Sequence, residues 1–524
     1  MDTRGRIAKS AGIMSVATLI SRILGYVKDM ILARYFGATG ISDTFFVAFR
    51  IPNLLRELFA EGSMSSAFIP VLTEYQTKQG PHEAKRLVNI TFTFILIFVG
   101  LFCILGIFFA PQIVSIIAPG FLKDTAKFSQ TVLLTRLMFP FLLFISLAAL
   151  IMGALNVRRV FFVPALAPAM LNVTIIVFVL ALVPVLEQPI IAVAIGVTFG
   201  GLAQLAFQLP SFLRKDYDLS LTGALNHPGL RKMALLIVPA TMGMAVAQVN
   251  IFVSTILASF LHQGSITYLY YSMRLVQFPI GIFGVAMGMA ALPALSEHAV
   301  KGEMEKLRDD FSFALRLLFF ITVPAMMGLI ALRGPIVNVL FQRGVFDYSA
   351  TAGTADALLF YSLGIWAVVG VRMVTATFYS LNDTKTPVKI AVAAMIINIA
   401  MSAVLMGPLK HSGLAFANSI ASGVNFILLF FFLRNKLGRI DGRRILGSFA
   451  KIAVASLVMA LAGWFMLRGE IWTASGKTIE KAMYLSGAIV ICLCIYVVIS
   501  LLLKGDEMNY LCEKIKGRLT RSGA

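Results

Sequence analysis

Little in this chain could build a catalytic centre. Histidine and cysteine are scarce, with 5 and 4 in 524 residues. His82, His227, His262, His298 and His411 fall near loops, without the His-Glu-x-x-His spacing of a zinc hydrolase and without a matched nucleophile. Cys103, Cys492, Cys494 and Cys512 show no paired ligand spacing, and the first three lie in apolar runs, which favours packing over a metal or disulfide role. Ser475-Gly-Lys-Thr478 imitates the end of a phosphate-binding loop, but Ile471 stands where that loop needs glycine. The expectation is a protein that is not an enzyme, holds no metal and uses no cofactor. With nothing to hydrolyse ATP, any work it does must draw on an ion gradient, the membrane potential or the gradient of what it carries.

Charge is scarce as well, at 13% of residues against 59% hydrophobic. A soluble domain sits nearer a quarter charged. Long polar segments are missing, and so are the ~10-residue alternating segments of a membrane β-barrel. What recurs instead is the apolar run of about 20 residues, long enough to cross ~30 Å of hydrocarbon as a helix. The runs read as 11–36, 43–75, 87–117, 131–156, 163–184, 189–213, 231–260, 267–296, 310–331, 350–381, 388–406, 411–434, 446–467 and 481–503. The fold class is therefore an all-α polytopic membrane protein with about fourteen transmembrane helices. Arg22, Lys28 and Asp29 interrupt the first run and no small-residue cleavage site closes it, so it reads as a retained helix rather than a signal peptide.

The charge that remains is unbalanced, 45 Lys+Arg against 25 Asp+Glu, a formal net charge of +20. In a membrane protein such an excess marks cytoplasmic loops, so no nucleic-acid partner is implied. With the N-terminus inside, 28 of these cations fall in cytoplasmic segments and 8 in outer ones. Both termini then lie in the cytoplasm, which requires an even number of spans. Nine cations are left inside the spans: Arg22, Lys28, Arg34, Arg50, Arg56, Arg136, Arg274, Arg316 and Arg372. Arg34 and Arg316 read as helix-end residues that snorkel to water.

The chain also repeats itself at a spacing near 224 residues. Ala67-Phe-Ile-Pro-Val-Leu-Thr-Glu74 returns as Ala290-Ala-Leu-Pro-Ala-Leu-Ser-Glu297, Arg50 returns as Arg274, Leu155-Asn156 as Leu381-Asn382, and Asn172 as Asn398. Six spans separate the copies, so they share one membrane orientation, a parallel repeat as in two-lobed transporters. The expected organisation is an N-lobe over 1–216, a C-lobe over 217–440, and a last helix pair with a basic tail over 441–524.

Ser21, Arg22, Gly25, Lys28 and Asp29 share one face of roughly 120° on the first helix. The second run adds Asp43, Arg50, Arg56, Glu57 and Glu61 around the kink-prone Ile51-Pro52-Asn53, and the eighth adds Arg274. Charge at mid-bilayer costs ~2.5 to over 10 kcal/mol, so these groups must face protein or water. They could pair to glue helices together. But the cations of these three runs outnumber the acids well placed to neutralise them, and a water-filled cationic cavity predicts an anionic substrate. Arginine suits phosphate, because its planar fork binds two oxygens and stays charged.

Ser21-Arg-Ile-Leu-Gly25, Lys28-Asp29, Asp43-Thr-Phe-Phe-Val-Ala-Phe49, Ile51-Pro-Asn-Leu-Leu-Arg56 and Phe59-Ala-Glu-Gly62 resemble the MurJ (MviN) family, within the MOP transporter superfamily. Ala118-Pro-Gly120, Gln208-Leu-Pro210, Tyr270-Tyr271 with Arg274, and Lys385-Thr-Pro-Val-Lys389 extend the resemblance. It implies a flippase that carries lipid II, the undecaprenyl-pyrophosphate-linked peptidoglycan precursor, from the inner to the outer leaflet of a bacterial cytoplasmic membrane. It puts the pyrophosphate on Arg22, Lys28, Arg56 and Arg274, with Ser21, Asp29, Asp43, Arg50, Glu57, Glu61 and Arg372 supporting or gating the cavity. The family commonly has arginine where Lys28 stands, and acids where Met273 and Gln277 stand. The last helix pair would hold the undecaprenyl tail. Implied partners are lipid II, membrane lipids and a counter-ion of unknown identity. A flippase for another polyprenyl-linked oligosaccharide would look similar. A drug or cation antiporter would want acids facing the cavity, and a non-transporting scaffold would leave the buried arginines unexplained.

Overall fold

Hydrocarbon offers the backbone no hydrogen-bond partner, so a chain this apolar must satisfy its amides within helices. The computed structural model describes residues 3–57, 67–438, 440–510 and 513, and among them every regular element is helical. Two compact units form, Met1–Ile266 and Thr267–Ala524. The first holds α1 (Thr3–Phe36), α2 (Gly40–Arg56), α3 (Ile69–Lys78), α4 (Gly80–Phe108), α5 (Ala110–Ile117), α6 (Thr125–Met138), α7 (Pro140–Val157), α8 (Phe162–Leu182), α9 (Ile190–Leu213) and α10 (Pro228–Ser259). The second begins in α11 (Ser265–Pro279), which runs into a π-helical turn, Ile280–Gly284. It continues through α12 (Val285–Lys301), α13 (Met304–Ala331), α14 (Arg333–Phe341), α15 (Tyr348–Ser362), α16 (Ile365–Ser380), α17 (Lys385–Leu437), α18 (Gly442–Met466) and α19 (Thr478–Leu502).

Proline explains why several single apolar runs become two helices. The run 87–117 breaks at Phe109 and restarts as α5 with Pro111 in its first turn; the run 131–156 breaks at Phe139 and restarts on Pro140. Proline lacks an amide hydrogen, so it fits a first turn and opposes a helix interior. Outward faces are apolar: Ile104 and Phe108 of α4 are 65% and 72% exposed. The inner face of the same helix, Leu87, Val88 and Ile95, packs with Phe68, Leu72, Leu150 and Phe212. Apolar residues on both sides of one helix fit a wall between core and lipid.

Ten helical runs among the described residues are long and apolar enough to cross a membrane, judged by length and composition. One of them contains two crossings. Straight, the 53 residues of α17 would reach ~80 Å, far beyond ~30 Å of hydrocarbon. The run instead breaks at Lys410, whose φ is 52°. A Cβ on Gly413 would stand 2.2 Å from the Leu405 carbonyl oxygen, so glycine is required where the arms meet. Lys436 at the far end donates to Asp383 Oδ2 at the near end, 2.7 Å away. With its ends clasped and its middle reversed, α17 is a hairpin.

The last helix pair is clasped in the same way. Arg444 Nη2 lies 2.9 Å from Asp506 Oδ2, and Lys451 donates to the Lys504 carbonyl at 3.3 Å. Beneath them Arg316 is only 4% exposed, with Glu507 at 2.6 Å and Asp506 at 3.3 Å. The snorkelling expected of Arg316 is therefore wrong: the cation is buried and finds its acid about 190 residues away rather than in water. Arg34, by contrast, is exposed.

The first compact unit runs to Ile266, and the linker after α9 is tied down to it. Asn89 Nδ2 donates to Asp218 at 2.9 Å and Ser220 at 2.6 Å, Lys85 pairs with Asp218, and the buried Tyr217 stacks on Phe212. Helix α10 follows and packs on α3, α4 and α5. Near its end, a Cβ on Gly120 would meet the Ser259 carbonyl oxygen at 2.2 Å, and the Gly120 amide donates to Ser259 Oγ at 3.0 Å. That close approach is the structural reason for glycine in Ala118-Pro-Gly120.

Asp383 supplies a test of the α17 clasp. Lys436 above all, then the Thr386 amide, holds its carboxyl at about 2, below the usual carboxylate range. Its contribution to stability is then complete above the ordinary carboxylate range and is lost as pH falls towards 2. We expect Asp383→Asn to lower the thermal midpoint of the detergent-solubilised protein at pH 7, with the gap from the parent closing as the pH falls towards 2.

Candidate functional site

Helix α1 separates its faces by chemistry. Leu19, Ile20, Ile23 and Val27 are exposed, while Ser21, Arg22 and Lys28 are half-buried and Asp29 is fully buried. At 100° per residue the exposed apolar side chains fill an arc about 60 to 160° from Arg22, and the polar set fills the opposite side. Lys28 Nζ reaches Asp29 Oδ1 at 3.0 Å. Neighbours in a helix point about 100° apart, so the long lysine stem must fold back to make this pair. Among the described residues Arg22 has no ion-pair partner, and its guanidinium stays available to an anion. The backbone beside it is held: Asn172 Nδ2 on α8 donates to the Ser21 carbonyl at 3.3 Å.

Helix α2 carries the second charged set. It continues through Pro52 to Arg56, with Ser42 to Ala48, Ile51 and Pro52 buried. At its end the Arg56 Nε donates to Asn53 Oδ1 at 3.2 Å, while Asn53 Nδ2 donates to Glu57 Oε1 at 3.0 Å. Gln248 Nε2 on α10 donates to Glu57 Oε2 at 2.6 Å. Glu57 is thus committed to two amides, and its contact with Arg56 is loose at 3.9 Å. Arg50 is half-buried on the same helix, and Glu61 lies outside the described residues.

At the other end of α2, Asp43 is 1% exposed in the first turn, where the helix dipole favours an anion. The Gly264 amide donates to its Oδ2 at 2.7 Å and Lys127 Nζ approaches to 3.6 Å, with the same ammonium 4.2 Å from the Phe121 ring centroid. Above this pin opens a cavity of about 640 Å³, lined in part by Asp124, Lys127, Gln130, Gln188 and Gln263. In the second unit, Arg274 is half-buried on α11, three residues after Tyr271, which is 1% exposed and packed 4.6 Å from Phe341. Arg372 is exposed on α16, and its Cδ would lie 3.6 Å from a Cβ on Gly284, at the end of the π turn. Such turns interrupt the regular ladder and recur at functional sites.

Sequence reading named the charged residues but not the neutral ones that position them. Gln248 and the Gly264 amide were missed, as was the role of Asn53, and so was one cation, Lys127, as the partner of Asp43. Asn172 had a signal, its return as Asn398, which is 2% exposed in the second unit.

The family model described as "Lipid II flippase MurJ" matches residues 32–486. The "Probable lipid II flippase MurJ" of Vibrio cholerae is 36% identical over 506 residues, covering 95% of this chain and 96% of that protein. The "Lipid II flippase MurJ" of Burkholderia cenocepacia is 34% identical, covering 91% and 94%. A solved structure of lipid II flippase MurJ in an inward closed conformation covers 94% of this chain and 98% of its own, with a TM-score of 0.77 at 26% identity. An inward-facing multidrug MATE transporter of the MOP superfamily has a TM-score of 0.66 at 14% identity, covering 80% and 96%, a likeness of fold alone.

Asp43→Asn tests the pin at the end of α2. The amide keeps a hydrogen-bond acceptor for Gly264 but loses the charge that faces Lys127. We expect a loss of about 1–3 kcal/mol, read as a lower thermal midpoint.

Proposed function

The chain belongs to the lipid II flippase MurJ family, and from that premise we propose how its buried cations move a lipid-linked pyrophosphate across the membrane. It is a multi-pass inner-membrane transporter of lipid II, not an enzyme. Arg22, Lys28, Arg56 and Arg274 hold the pyrophosphate, and the protein alternates access between the two leaflets. The charged face of α1 carries this reading, because Arg22 and Lys28 are withdrawn from solvent on the side away from the exposed apolar arc. An anion that enters there meets guanidinium and ammonium groups that have already lost most of their water, where electrostatic attraction is strong. Asp29 holds Lys28 while the site is empty and releases it when phosphate arrives.

Two lobes, 1–216 and 217–440, with a terminal pair over 441–524, account for fourteen crossings. The apolar runs supply eleven once the α17 hairpin is resolved, and α1, α2 and α10 supply the rest. The repeat is supported by helix limits that recur 223 positions apart: α1 ends at Phe36 and α10 at Ser259, α4 at Phe108 and α13 at Ala331. Local devices recur at the same offset. Asp124 caps α6 and Asp347 caps α15; Glu74 pairs with Lys78 and Glu297 with Lys301. Both termini are cytoplasmic in this arrangement, and a counter-ion resets the empty cavity.

Removing the clamp should abolish transport without unfolding the protein. As sole copies, Arg56→Ala and Arg274→Ala are expected to fail to sustain growth, with lipid II accumulating in the inner leaflet while protein levels in the membrane stay normal. Normal growth of both variants would overturn the clamp.

The pyrophosphate moves outward from the negative side of the membrane. Each net elementary charge gains ~2.3 kcal/mol per 100 mV. Collapsing the potential while the pH gradient is kept should therefore slow the appearance of lipid II in the outer leaflet. Unchanged flipping at zero potential would leave a substrate or ion gradient as the driving force.

A further inference from the structure

The second unit has a cavity of its own, about 320 Å³, remote in sequence from the charged faces of α1 and α2. Arg333, Tyr348, Asp356, Trp464, Arg468 and Trp472 are among the residues that line it. Arg333 opens α14, and Arg468 follows the end of α18. The Lys and Arg bias of the loops puts both on the outer side of the membrane.

The two arginines are arranged to bind rather than to brace. The guanidinium carbon of Arg468 lies 3.2 Å from the Trp464 ring centroid and 5.0 Å from that of Phe465. Stacking occupies the flat face of a guanidinium and leaves its in-plane N–H edge free for oxygen acceptors. Among the described residues Arg468 makes no hydrogen bond or ion pair, so that edge is unclaimed. Arg333 uses Nη1 on the Ile330 carbonyl at 2.9 Å and has no acidic partner among the described residues. Asp356 is the one carboxylate lining the cavity, and it pairs with neither arginine.

The far wall is rigid. Asn338 Nδ2, 3% exposed, donates to the Trp472 carbonyl at 2.7 Å, and Gln342 Nε2, 4% exposed, donates to the Thr473 carbonyl at 3.0 Å. Trp472 itself is 8% exposed, while Trp464 and Phe465 are 41% and 63% exposed. Exposed aromatic rings beside arginine at the outer end of α18 mark the headgroup level of the bilayer.

We propose that this cavity is an outer-leaflet site for the phosphate of an anionic lipid, held between Arg333 and Arg468. Its volume suits a headgroup and no more, at the small end of ligand pockets. Two lipids could bring that phosphate, a bulk anionic phospholipid or the pyrophosphate lipid after release, and the chemistry that recognises them is shared.

The test measures lipid retention by native mass spectrometry on the purified full chain, which needs no transport assay. Phosphatidylglycerol is titrated, with zwitterionic phosphatidylcholine as control and lipid II in a separate arm. Phosphatidylglycerol should be held about tenfold tighter than phosphatidylcholine, and the combined Arg333→Gln and Arg468→Gln substitutions should remove that preference. Arg468→Lys, which keeps the charge and the fold but loses the fork, should show an intermediate loss. Loss confined to phosphatidylglycerol names bulk phospholipid as the source, and loss confined to lipid II names the pyrophosphate lipid; either supports the site. Equal retention of both anionic lipids by parent and double variant overturns it, as does a parent that holds neither anionic lipid more tightly than phosphatidylcholine. Flipping measured in Arg56→Ala and Arg274→Ala reports separately on the pyrophosphate clamp, so failure of one reading is distinguishable from failure of the other.

Discussion

An ion buried in hydrocarbon must be matched, and this constraint organises both units. The backbone meets it by forming helices throughout. The side chains meet it by pairing, at 3.0 Å between Lys28 and Asp29, at 3.6 Å between Lys127 and Asp43, and at 2.6 Å between Arg316 and Glu507. Neutral amides share this work with the ions. Glu57 accepts from Asn53 and Gln248 and lies 3.9 Å from Arg56.

Much of this was legible in the sequence, for physical reasons. Hydropathy is local, so the apolar runs and the charged face of α1 could be read from residues a few positions apart. The lipid II flippase family was legible from the stretch 21–62, and the comparisons bear it out over residues 32–486. What escaped was pairing at a distance. Asp43 meets the Gly264 amide 221 residues on, Glu57 meets Gln248 across 191, and Arg316 meets Glu507 across 191. No periodicity encodes such partners; packing chooses them. Helix breaks at Phe109 and Phe139 were hidden for another reason: hydropathy does not change where proline interrupts a helix.

The polar groups whose partners escaped notice are mostly amides. Asn53, Asn172, Gln248, Asn338 and Gln342 fix acids, carbonyls and loops without adding charge. An amide both donates and accepts, so it can satisfy buried groups at a smaller desolvation cost than an ion. Positioning by amides leaves the electrostatic field to the arginines.

The burial of Arg316 also bears on how the protein is made. Its acids, Asp506 and Glu507, are synthesised 190 residues after it, behind α14 to α19. During insertion α13 therefore carries a cation whose lasting partner has not yet left the ribosome. The helix must keep Arg316 at the water's edge, or shield it on other proteins, until the final segment arrives. A chain interrupted before residue 506 would carry Arg316 without the two acids that match it in the finished fold.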